Sequence, residues 1–154
     1  MRSIWAKTYS ANNQFTKLLF GILLLLSMNS VSADGLRTAA PKDAHLYFID
    51  LQDGDTVKSP LLVRFGLSGM GVAPAGVEQK HTGHHHLLLN LEDMPDMEIP
   101  LPSTENIVHF GKGQTETTIE LTEGTHTLQL LLGNHYHVPH NPPVMSDKIT
   151  IIIK

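Results

Sequence analysis

GHHHLLLN, residues 83–90, sets three imidazoles directly before three leucines. With the two-residue period of a strand running from about His84 to Leu91, His85, Leu87, Leu89 and Leu91 share one face, and His84, His86, Leu88 and Asn90 the other. His85 is then the member of the triplet that points inward, while His84 and His86 project together on the opposite side.

Working outward from this strand, no long helical periodicity follows residue 33. Short apolar or alternating runs recur instead, separated by Gly, Pro, Asn and Asp. HLYFIDL (45–51) and LLVRFGL (61–67) precede the histidine strand. The segment EDMPDMEIPLPSTEN (92–106) carries three prolines, which forbid a central strand, and reads as a long loop. ENIVHF (105–110), TETTIEL (115–121), THTLQLLLG (125–133) and DKITIII (147–153) complete a set of about seven strands. This pattern predicts an all-β domain, an immunoglobulin-like β-sandwich over residues 44–154, preceded by a short N-terminal arm at 34–43. In GTHTL (124–128), His126 falls at the corner where such folds begin their sixth strand, and is expected to brace the preceding loop.

The first 33 residues read differently. Arg2, Lys7 and Lys17 form a basic region, LLFGILLLLSM (18–28) an apolar one, and Val31-Ser32-Ala33 a small-residue cleavage site, the signature of a cleaved signal peptide. The protein is therefore expected to be exported, and periplasmic. Removing Arg2, Lys7 and Lys17 with that segment leaves 8 basic against 15 acidic side chains, a net charge of −7. No basic stripe is available for phosphates, so nucleic acid is not an expected partner. The absence of cysteine excludes disulfides, thiolate metal sites and lipid attachment at an N-terminal cysteine.

All 10 histidines lie beyond residue 33, an enrichment that points to metal binding. His84 and His86 form one His-x-His pair, and His135 and His137 another. On extended backbone, residues two apart face the same side, so both rings of a pair can reach one ion. The expected topology gathers the loops carrying these pairs at one pole, with His109 and His140 beside them. Convergence depends on ENIVHF being a strand; without it the following strands reverse and the clusters separate. The candidate metal ligands are His84, His86, His135, His137, His140, His109 and Met145. With thiolate excluded, copper or zinc is the expected ion, and thioethers at Met145 or Met70 would favour copper. His45 and His81 are expected to be solvated or loop-bracing.

The stretches GMGVAPAG (69–76), TGHHHLL (82–88), HFGKGQTET (109–117), HTLQLLLGNHYHVPH (126–140) and PPVMS (142–146) together resemble a family of small exported bacterial proteins, the domain of unknown function 4399, over about residues 44–154. The resemblance implies a β-type envelope or periplasmic protein and implies no reaction.

Three functions are compatible with these residues. The first is a periplasmic carrier or buffer for copper or zinc. The second is a non-catalytic envelope module whose loops bind a glycan, peptide or protein. The third is a metal-dependent hydrolase, with Glu105 or Glu116 near His109 as base; no HExxH, Ser-His-Asp order or phosphate loop accompanies it.

Overall fold

The computed structural model describes residues 35–154; the expected signal peptide at 1–33 lies outside the described residues. The described chain is all-β, with nine strands in two sheets and no helix. They are β1 (His45–Phe48), β2 (Thr56–Val57), β3 (Leu61–Ser68), β4 (Gly71–Val72), β5 (Thr82–Leu89), β6 (Ile107–His109), β7 (Glu116–Ile119), β8 (Gly124–Gly133) and β9 (Ile149–Ile153). Each of the seven expected strands has a counterpart. The two additional ones, β2 and β4, are two-residue pairings too short to leave a periodic signal.

One sheet has the order β1-β3-β7 and the other β2-β9-β8-β5-β4, with β6 also paired to β5. The alternation in β3 explains its placement: Leu61, Val63 and Phe65 are buried, whereas Leu62 and Arg64 face solvent. Those three residues and Leu46 meet Leu87, Leu128, Leu130, Leu132, Ile149, Ile151 and Ile153 of the larger sheet in one core. Arg64 pairs with Asp50 at 2.6 Å and Glu116 at 3.3 Å, but all three groups are exposed, so these ion pairs add little stability.

The larger sheet is covered on its other face as well. Leu88 of β5 and Leu131 of β8 point away from the main core and form a second cluster with Leu101 and Ile107, against which Leu91, Met97 and Met145 pack. Much of that cover comes from the proline-rich segment expected as a loop, which has no strand between Asn90 and Asn106. The N-terminal arm also has a definite place, because Ala40 N donates to Asn141 O at 3.1 Å and Asn141 N to Thr38 O at 2.9 Å. His126 braces the corner as expected. Its Nε2 lies 2.9 Å from Thr122 O and its Nδ1 3.0 Å from Asn90 Nδ2.

β5 is the strand on which the site is built. It runs antiparallel to β8, with His84 opposite Gly133, His85 opposite Leu132 and His86 opposite Leu131. On its other side it pairs with β4 at Thr82–Gly83 and with β6 from His86 to Leu88. The histidine triplet therefore sits mid-sheet, and its members alternate between the two covered faces.

Candidate metal centre

His85 turns toward the main core, its ring centroid 5.2 Å from that of Phe65. His84 and His86 turn the other way. His109 is the cross-strand partner of His86 and so emerges on the same side, and His137 descends from the loop after β8. Each of these four histidines offers one ring nitrogen, and the four nitrogens all lie within 4.8 Å of one another, so the group could hold a metal ion. The His84 ring lies 4.9 Å from His86, 4.9 Å from His109 and 5.0 Å from His137 between centroids. The longest separation, 6.5 Å, is between His86 and His137. Tetrahedral bonds of 2.0–2.1 Å would set the donors roughly 3.4 Å apart, so capture of an ion requires inward ring movements of about 1 Å.

The surroundings of His84, His86 and His109 favour the neutral imidazole, the form that binds metal. Burial is the main influence on His84 and His86 and, with the neighbouring imidazoles, lowers both to about 3. His109 is lowered too, first by burial and then by His137. His84 and His86 have no exposed surface. Neither ring nitrogen of either residue has a hydrogen-bond partner, and His109 Nε2 has none. Buried polar atoms are ordinarily paired, and this concentration of unpaired nitrogens on one side of a sheet calls for an explanation.

Glycines make the close packing possible. A β-carbon at Gly133 would come within 2.7 Å of His86 Cε1 and 3.4 Å of the His137 carbonyl carbon. At Gly111 it would run into the His109 ring. The space occupied by two of the rings is thus space that larger residues would fill.

His137 is positioned by a tight loop rather than by extended backbone. Its φ is +66°, in the left-handed region. The buried Asn134 organises the turn, its Oδ1 accepting from Tyr136 N at 2.9 Å and Val138 N at 3.2 Å while its Nδ2 donates to Leu36 O at 2.8 Å. His137 N donates to Asn134 O at 2.8 Å, and His137 O accepts from Leu101 N of the covering loop at 2.9 Å. Asn134→Ala would leave Tyr136 N, Val138 N and Leu36 O without their side-chain partner and is expected to cost about 2–3 kcal/mol, read as a lower urea midpoint. An unchanged midpoint would show that the turn is held by its backbone alone.

The remaining sequence candidates lie elsewhere. The second His-x-His pair divides, because the turn at 134–138 breaks the alternation that the pairing assumed. His135 lies against Tyr136, at 4.0 Å between centroids, and lines a separate cavity of about 300 Å³ with Thr38, Glu78, Lys80, His81 and Thr82. His140 is buried, with Nδ1 2.9 Å from Thr38 Oγ1 and Nε2 beside Gly83. Met145 forms a bridge with Leu131 and packs in the second apolar cluster, while Met70 packs against the main core. Met145 thus packs beside Leu88 and Leu131, on the same covered face of the larger sheet as the four histidines. His45 hydrogen-bonds Ser68 Oγ at 2.9 Å, away from the group. No motif marks His109 as a member; its signal is the register that places it opposite His86, together with Gly111.

The fold and the site define an all-β protein with a histidine cluster able to hold a metal on the covered outer face of its larger sheet. The chain belongs to the family described as Domain of unknown function (DUF4399), whose model matches residues 63–154, more than half of its length. The match begins within β3, although β1 pairs with that strand and shares its core. No curated protein and no solved structure matches the chain.

Proposed function

We propose that this is an exported, periplasmic metal-binding protein, a carrier or buffer for copper or zinc, with His84, His86, His109 and His137 as ligands. One observation carries the reading: four imidazole nitrogens from three separate chain segments converge within 4.8 Å of one another. Such a set satisfies four-coordinate geometry with protein ligands alone, which suits holding an ion more than activating water at an open position. Export is supported by the leader-like residues 1–33. We also read the two sheets as an immunoglobulin-like sandwich, with β1, β3 and β7 facing β6, β5, β8 and β9. The shared core between the sheets supports this.

The test is metal analysis and titration of the chain purified without an affinity tag. One equivalent of copper or zinc is expected to bind. The double variant His84→Ala/His86→Ala should lose it, whereas His135→Ala should retain full stoichiometry. Uptake unaffected in the double variant, in a protein still folded by circular dichroism, would reject the assignment.

A further inference from the structure

The four ligands share a property that separates the candidate ions: all are imidazoles, which bind a metal as uncharged donors. No carboxylate belongs to the group. The charged neighbours acting on His84, His86 and His109 are other histidines, with no Asp or Glu among them. No ring nitrogen of His84 or His86 makes a well-formed hydrogen bond, and the only acceptor acting on either ring is a loose backbone approach of Leu131 to His86. Metal-bound histidines ordinarily donate their second N–H to a carboxylate, carbonyl or water, which raises ligand basicity and offsets the charge of the ion. Here no carboxylate stands behind either buried ligand, and only the Leu131 backbone approaches His86.

From this pocket of four imidazoles without a carboxylate we infer that the site takes a monovalent d10 ion, Cu(I), in preference to Zn(II) or Cu(II). The inference rests on the metal-binding reading above and sharpens it. The physical reason is the dependence of desolvation on the square of the charge, so a dication entering a pocket half walled by the fully buried His84 and His86 costs about four times what a monocation does. Anions or well-aligned acceptors would compensate, and the group supplies no anion and only the loose Leu131 approach to His86. A dication also acidifies the far N–H of each ligand and increases its demand for an acceptor; a monocation does so less. Imidazole accepts copper and zinc alike, so ligand type leaves the choice open and charge decides it. Four donors from two strands and a loop can close tetrahedrally around an ion without directional d-electron preference, whereas Cu(II) favours a tetragonal arrangement.

The experiment uses the mature chain under anaerobic conditions. Cu(I) is titrated in competition with a chromogenic Cu(I) chelator, and Zn(II) and Cu(II) are titrated against chelators suited to each. Cu(I) is expected at one equivalent and at least 100-fold tighter than Cu(II). That ratio corresponds to a potential about 120 mV above the aqueous copper couple, at 59 mV per tenfold. The variant His109→Asp adds one negative charge at the more accessible corner of the group and is expected to move preference toward the divalent ions by 10-fold or more. Equal or tighter binding of Zn(II) or Cu(II) by the unmodified protein would overturn the inference and leave the metal site standing. Binding of none of the three ions would overturn both.

Discussion

Metal-free protein transferred from neutral pH to pH 5 is expected to lose about 6 kcal/mol of folding stability, enough to unfold a domain at the lower end of the usual range of about 5–15 kcal/mol. The source is three histidines with no exposed surface, His84, His85 and His86. Burial lowers His85 to about 4, with a loose backbone approach at Gln114 opposing it only in part, and His84 and His86 to about 3. In the unfolded chain each returns to about 6.5. Above that value both states are neutral and the contribution is fully present. As pH falls below it, the unfolded chain takes up protons that the native state refuses, so stability declines until the native values near 3 to 4 are reached. Each group contributes about 2 kcal/mol to the loss at pH 5. Urea midpoints measured across pH 7.5 to 4.5 on chelator-treated protein check this. His85→Leu removes one titrating group without touching the four-histidine cluster, and should reduce the pH-dependent loss by about a third. A midpoint that stays level to pH 5 would show that water reaches these rings in the native state.

The second large effect is expected at the glycines flanking the cluster. A β-carbon at Gly83 would lie 2.6 Å from the carbonyl oxygen of Gly133, 2.8 Å from Leu132 Cγ and 2.9 Å from His140 Nε2. The nearest of these is backbone of the paired strand, which cannot move without disturbing the β5–β8 register. Gly83→Ala is therefore expected to cost about 3 kcal/mol, at the upper end of ordinary overpacking. Gly133→Ala meets a ring instead, at 2.7 Å from His86 Cε1 and 3.2 Å from His86 Nδ1. Its expected signature is a loss of metal affinity of more than 10-fold, because the displaced ring is one of the four ligands. Calorimetry for stability and metal titration for affinity separate the two variants. Equal effects of both substitutions on both quantities would show that the glycines serve only the strand pairing.

The residues of β5 illustrate how much was legible beforehand. The alternation in HHHLLL, read with a period of two, places His85 and Leu87 toward one core and His84, His86 and Leu88 toward the other side, and the fold has them there. The same local rule places strands at LLVRFGL and THTLQLLLG, where the apolar residues that share a face also share the core. Strand formation and facing follow from side-chain periodicity, a property of neighbours in the chain, so the sequence carries them.

The membership of the metal group was of another kind. His135 and His137 form the same short motif as His84 and His86, yet only His137 joins the group, because a left-handed residue in an asparagine-anchored turn replaces the extended backbone that the motif presupposes. His109 enters through its register opposite His86, a choice made between strands about 20 residues apart. By itself, the sequence determined that this chain would be all-β, with imidazoles projecting from a central strand. Tertiary structure alone decided which imidazoles meet and that no carboxylate meets them, since convergence depends on strand register and loop geometry, which are set by the packing of distant segments rather than by the order of adjacent residues.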